Sequence, residues 1–313
     1  MRLRVHADDL GVSRGVTDGI VRCIDEGPLE STSILANGAA FDYAVAALRS
    51  RPHVALSLHL NLVQGPALAP AAEVDLLVDA EGFLRHSLPS LWRAHALAAP
   101  AARARLEAQV RLELGAQAAK VRDAVGPDMP LRVDSEQHLH HIPFVFRIAA
   151  DICRDLPAAG MRLVREPFFL DASGLRRHTL GGVAKRALLN ALTARHRPEL
   201  AARGINSDDW VVGLLLTGRM SPGAVEASLR RIATLSASDH RDVSVEIVFH
   251  PGGAAPREEA IWARYRALRA YYFSPWRRFE SERLRSPEMA ACLERWRATT
   301  GPAAPPAGGT KGD

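Results

Sequence analysis

Seven short runs of apolar and β-branched residues recur along the chain: LRVHA (3–7), STSILA (31–36), VALSLHL (54–60), LRVDS (131–135), MRLVRE (161–166), VVGLLLTG (211–218) and VSVEIVFH (243–250). Each has the length of a strand, and amphipathic stretches separate them. Residues 14–26 put Val16, Ile20, Cys23 and Ile24 on one helix face, behind Ser13 as an N-cap. Residues 101–124 carry a stripe of Leu106, Val110, Leu114 and Val121, and residues 222–235 and 256–273 read as two further helices. Strands alternating with helices predict parallel pairing, and seven such units without a break predict an α/β fold, a distorted, roughly seven-stranded TIM-like barrel. One catalytic domain is expected over residues 1–300. Residues 65–100 and 167–209 are longer excursions, expected to be functional loops or lids. The Pro/Gly/Ala-rich residues 301–313 predict a disordered tail.

The first strand narrows the choice among α/β folds. A dinucleotide-binding sheet needs a GxGxxG turn after that strand, so that backbone can approach a pyrophosphate. Here the strand ends in HADDLG instead. Barrels hold their chemistry at the C-terminal ends of the strands. Strand one ends with Asp8 and Asp9, strand three with His59 and Asn61, strand four with Asp134, Glu136, His138 and His140, and strand seven with His250.

Two of these groups alternate. In LSLHLNL, Leu56, Leu58, Leu60 and Leu62 share one face and Ser57, His59 and Asn61 the other. In DSEQHLHH, an extended chain would put Asp134, Glu136, His138 and His140 on one face. Imidazole and carboxylate donors at that spacing suit a divalent metal, whereas a polar turn capping the helix before Pro143 is the competing structural explanation. Adjacent carboxylates such as Asp8 and Asp9 point in different directions, so that one can bind a cation while the other handles a proton.

Composition changes this picture little. Hydrophobic residues make up 47% and charged ones 24%, near the globular average, which suggests neither a disordered nor a fibrous class. The net charge of +5 comes from scattered arginines, with one concentration at residues 264–285, which mixes Arg264, Arg266, Arg269, Arg277 and Arg278 with Tyr271, Tyr272, Phe273 and Trp276. That segment reads either as a solvated helix face with aromatic anchors or as a contact for an anionic partner, a phosphate-bearing substrate or a membrane surface. Nucleic acid is not an expected partner. Cys23, Cys153 and Cys292 are far apart and form no CxxC, as expected of buried, reduced thiols. With no apolar run of membrane-spanning length, a cytoplasmic protein is expected, peripheral to the inner face of the membrane if its substrate is lipid-linked.

Four motifs in order, HADDLG followed by GVTDGI, LSLHLNLVQG, VDSEQHLHHIP and VFHPGG, make the chain resemble the YdjC-like carbohydrate deacetylases over roughly residues 3–297. The resemblance implies a barrel of the glycoside hydrolase and deacetylase type and one divalent cation, Mg or Zn with Mn as a third choice. It also implies hydrolysis of the N-acetyl group of an amino sugar, either a soluble chito-oligosaccharide or a lipid-linked or phosphorylated N-acetylhexosamine. By position it makes Asp9 and His59 metal ligands. The family's third ligand, the first histidine of DSHxHxH, is Glu136 here. Three readings follow: Glu136 binds the metal, His138 takes its place, or the metal site is lost and the protein only binds N-acetyl sugars. The resemblance further suggests Asp8 as the base and His250 as the acid, with Asp134, His140 and Asn61 orienting ligands or contacting substrate. A metal-dependent phosphoesterase is the remaining enzymatic alternative, and a homodimer is compatible with either.

Overall fold

The computed structural model describes residues 1–157, 160–170, 178–238 and 242–298; the tail at 301–313 lies outside them. All seven expected strands form: β1 (Arg2–Leu10), β2 (Ser31–Ile34), β3 (Ala55–Leu60), β4 (Leu131–Ser135), β5 (Gly160–Met161), β6 (Trp210–Val212) and β7 (Ser244–Phe249). They make one parallel sheet in the order β5-β4-β3-β2-β1-β7-β6. Its two edges meet, with Met161 N–H donating to Asn206 O at 2.8 Å and Val211 N–H to Arg165 O at 2.9 Å. The sheet is therefore a distorted barrel with one thin seam. β5 and β6 are shorter than their apolar runs suggest because backbone at that seam pairs only at these few points.

Helices cover the outside: α1 (Arg14–Glu26), α2 (Phe41–Arg49), α3 (Leu88–Leu97), α4 (Pro100–Val125), α5 (Pro143–Arg154), α6 (Leu180–Ala202), α7 (Pro222–Leu235), α8 (Arg266–Tyr272), α9 (Pro275–Leu284) and α10 (Pro287–Ala298). In α1, Ser13 accepts from Val16 N–H and the expected face of Val16, Ile20, Cys23 and Ile24 is buried. Each such aliphatic side chain contributes about 1.5–3 kcal/mol on leaving water. α1 lies so close to the turn after β7 that a Cβ on Gly19 would stand 2.2 Å from the Gly252 Cα, and Gly252 itself has φ +80°. Only glycine fits that crossing. In α4 the expected stripe is buried together with Gln109, Glu113 and Gln117. Gln117 clamps the backbone N–H and C=O of Asn61 at 2.9 and 2.6 Å, and Glu113 accepts from Leu68 and Ala69. The long helix thus holds the chain that leaves β3.

Three expectations need correcting. The strand β4 stops at Ser135, and residues Glu136–His141 form a tight 3₁₀ turn with Gln137 and His138 in the left-handed region (φ 51° and 63°). The period-two face through His140 therefore does not exist. The helix expected at 256–273 is a 3₁₀ segment, Pro256–Trp262, followed by the short α8. It breaks because two side chains dock inward: Glu258 accepts from Gly15 N–H and Ser13 Oγ, and Trp262 Nε1 donates to Gln64. The 167–209 excursion is largely helical, since α6 occupies 23 of its positions. Cys23, Cys153 and Cys292 are free and buried, as expected. Among the described residues no helix is long and apolar enough to cross a membrane.

Candidate metal centre and catalytic cavity

The ends of β1, β3, β4 and β7 open into a cavity of about 290 Å³. Asp8, Asp9, His59, Glu136, His138 and His250 line it, with Lys185 from α6 and Tyr271 from α8. A bulge in β1 explains how two consecutive aspartates both reach it. Against β2, the pairing steps from Ala7 and Thr32 to Leu10 and Ile34, so that β1 carries one extra residue, and Asp9 takes φ +78°. Such a bulge turns a side chain that would otherwise face outward, and a non-glycine residue in this region persists only where its surroundings hold it. Arg277 holds it here: its Nη1 donates to Asp9 Oδ2 at 2.7 Å, its Nε to Gly252 O, and Tyr271 and Tyr272 stack against its guanidinium.

Asp9, His59 and Glu136 bring one donor atom each to within 4.8 Å of the others. His59 Nε2 is 3.9 Å from Asp9 Oδ1 and 3.9 Å from Glu136 Oε2. Every one of these groups is braced from behind. His59 Nδ1 meets Asp134 Oδ1 at 2.6 Å, which assigns its proton to that side and turns Nε2 toward the cavity. Arg277 occupies Asp9 Oδ2, and Gln64 Nε2 donates to Glu136 at 3.1 Å. Gln64 is itself fixed by Tyr272 and Trp262.

The electrostatics show a deficit of positive charge. Burial, and then the neighbouring Asp9, push the Glu136 carboxyl up to about 7. Burial opposes charge on His59, yet Asp134, Asp8 and Glu136 drive its imidazole up to about 9. Beneath them lies a buried network: Arg162 grips both oxygens of Asp8 (2.9 and 3.0 Å), both oxygens of Glu246 (3.0 and 3.1 Å) and approaches Asp134 at 3.1 Å. Asp8, Asp9, Asp134, Glu136 and Glu246 are thus faced by only two guanidiniums, Arg162 and Arg277. A divalent cation fits the donor set, since hard oxygen ligands and one oriented imidazole surround a spot where like charges otherwise repel.

The remaining expected residues fall in different places. His250 Nε2 is 3.7 Å from Asp8 Oδ2, its ring edges onto Tyr271, and burial takes its imidazole down to about 4. His138 lines the cavity outside the converging group, and its Nδ1 is buried with no partner. His140 spends both ring nitrogens on Ser135 Oγ and Arg162 O, so it pins the turn after β4 rather than orienting an imidazole. Asn61 faces away from the cavity: it bonds Asn37, Val63 and Gln64 and shapes the loop that presents Gln64. The arginine-aromatic segment divides: Arg277 and Tyr272 are fully buried and Leu268 and Tyr271 line the cavity, while Arg264, Arg266, Arg269, Arg278 and Trp276 are exposed, Arg264 pairing with Asp79.

His6, Arg162, Glu246, Lys185 and Gln64 do not stand out in the sequence as site residues, and Arg277 does so only as part of the arginine-aromatic segment. The available signal for His6 and Glu246 is a polar group at an alternate position of β1 and β7, two residues before Asp8 and Val248, while Arg162 directly follows β5. Lys185, Gln64 and Arg277 come from helices and a loop, with no periodicity to mark them.

The family model described as YdjC-like protein matches residues 2–295. Over 257 residues the chain is 33% identical to a carbohydrate deacetylase of Homo sapiens, covering 80% of this chain and 75% of that one. It is 31% identical over 173 residues to a chitooligosaccharide deacetylase of Escherichia fergusonii, covering 54% of this chain and 62% of that protein. A crystal structure from Enterococcus faecalis V583, described as a cellobiose-phosphate cleavage protein, superposes with a TM-score of 0.63 over 94% of both chains at 20% identity, which shows a shared fold. The matched family model, the identity to the human protein and the common barrel agree that this chain belongs to the YdjC-like protein family.

Proposed function

We propose that this protein is a carbohydrate deacetylase that hydrolyses the acetamide of an N-acetylated amino sugar, using one divalent cation held by Asp9, His59 and Glu136. The observation that carries this reading is the convergence of three donors, each oriented from behind by a separate partner. A cation bound there would polarise the acetamide oxygen and acidify the attacking water. Two carboxylates and one imidazole favour oxygen-preferring ions, Mg or Mn, over Zn.

The chain's own residues handle the proton. Burial works against charge on Asp8, but Arg162, with His6 and His59, holds its carboxyl well below the usual range, so Asp8 stays ionised and ready to accept. His250 is neutral at rest, so it can donate only after it gains a proton. Water gives its proton to Asp8, the proton crosses the 3.7 Å to His250 Nε2, and His250 delivers it to the departing amine as the C–N bond breaks. Acetate and the free amino sugar leave. Replacing His250 with glutamine should lower kcat about 10²–10⁴-fold while divalent-cation affinity stays within about twofold. Equal losses of both would remove His250 from the proton path.

Cation affinity should rise with pH. The ion must displace a proton from Glu136 below about 7 and from His59 below about 9. Each displaced proton changes apparent affinity about tenfold per pH unit, so calorimetric titration with Mn²⁺ should show a steep rise up to pH 7 and roughly tenfold per unit from 7 to 9. A flat profile would mean that these groups do not bind the ion.

The cavity has room for about one N-acetylhexosamine unit. Incubating the protein with Mg²⁺, Mn²⁺ or Zn²⁺ and N-acetylglucosamine oligomers or phosphates, with acetate and phosphate assayed together, tests the reading. Acetate release supports it; phosphate release alone indicates a phosphoesterase, and sugar binding without bound metal or turnover indicates a binding protein.

A further inference from the structure

Lys185 lines the cavity from α6. It is the single lysine or arginine among the described residues that line the cavity, because Arg162 and Arg277 lie beneath it. Those two guanidiniums are saturated by carboxylates and carbonyls. Lys185 makes no hydrogen bond or ion pair to another described side chain, although it lies within electrostatic reach of Glu136 and His138. Were it a counter-ion for Glu136 alone, its ammonium would sit on that carboxylate, yet Glu136 receives Gln64 instead.

The charge around the cavity gives this unspent ammonium a task. Asp8, Asp9, Asp134, Glu136 and Glu246 outnumber Arg162 and Arg277, and His6 lies against three of them. Two of the three donors around the ion are carboxylates, whose charge opposes the development of an oxyanion on the substrate. We infer that Lys185 is a catalytic residue: its ammonium donates a hydrogen bond to the acetamide oxygen and supplies the positive charge that the two carboxylate ligands withdraw from the cation. Burial lowers the Lys185 ammonium from its ordinary value and Glu136 opposes that shift; in this role Lys185 transfers no proton, and its contact strengthens as charge grows on that oxygen. The inference rests on the deacetylase reading of this cavity.

The test compares wild type with Lys185→Met and Lys185→Arg in two measurements, acetate release from an N-acetylglucosamine oligomer and Mn²⁺ binding by calorimetry. Lys185→Met should lower kcat about 10²–10³-fold with KM changed less than about threefold, as for loss of one oxyanion donor. The same variant should bind Mn²⁺ several-fold more tightly, because a neighbouring positive charge is gone. Lys185→Arg, which keeps the charge, should recover part of the rate and bind Mn²⁺ as wild type does. A Lys185→Met enzyme with kcat within about twofold of wild type overturns the catalytic role, and unchanged or weaker Mn²⁺ binding overturns the coupling to the ion. If wild type binds Mn²⁺ but frees no acetate, the deacetylase reading and the catalytic role fail together, and the Mn²⁺ measurement alone then decides whether Lys185 acts on the ion site.

Discussion

Replacing His59 with alanine is expected to abolish divalent-cation binding and to lower acetate release by at least about 10³-fold, because the variant loses both a donor and the polarisation that the cation supplies. The expectation follows from geometry. His59 Nε2 stands 3.9 Å from Asp9 and 3.9 Å from Glu136, and no other imidazole joins that group among the described residues. Alanine at Asp9 should have the same outcome, with a second consequence: Arg277 would be left buried without its carboxylate. A graded series sharpens the test. Asp134→Asn keeps every donor but weakens the bond that orients His59, so it should cost about 10–100-fold in metal affinity or activity. Calorimetry with Mn²⁺ on all three variants checks the order. Normal turnover in His59→Ala or Asp9→Ala would sink the metal site described here.

Arg162→Met should be the most damaging single change to stability. Arg162 is fully buried and holds Asp8, Glu246 and Asp134 at once. Removing one partner of a buried ionic cluster costs about 3–5 kcal/mol, since the remaining charges are left without compensation in a medium that solvates them poorly. Denaturant titration should show the midpoint falling accordingly; an unchanged midpoint would mean that the network contributes little. The acid side gives an independent reading. Burial opposes charge on Glu246, but Arg162 and His6 bring its carboxyl down to about 2, and Asp8 is likewise depressed. A depressed folded-state value contributes stability that is present above the ordinary carboxylate range and lost as pH falls through the folded value. Wild type should therefore lose stability between about pH 4.5 and 2. The variant should lack most of that dependence.

The positions of all seven strands could be read from apolar runs, because a strand buried on both faces must be apolar nearly throughout. The helices α1 and α4 are equally plain from their stripes and, for α1, from the Ser13 cap. Lengths were less so: β5 and β6 are short because the barrel seam pairs at few points, which no local pattern records. Residues 134–141 show the limit most clearly. Their alternation is real in sequence, but the backbone leaves the strand at Glu136 and passes through two left-handed residues. Period two has meaning only while the chain stays extended.

By itself, the sequence determined which strands exist and which polar residues sit at their ends, because both follow from local hydrophobic periodicity and from the barrel's habit of placing chemistry at one face. Only the tertiary structure decided how those residues are used. A bulge aims Asp9 inward, Gln64 and Arg277 hold the donors, Arg162 binds three carboxylates from three strands, and Lys185 arrives from a helix 49 residues beyond Glu136. Charge balance is a property of the assembled cavity. It depends on distances between residues far apart in the chain, and those distances exist only once the barrel has closed.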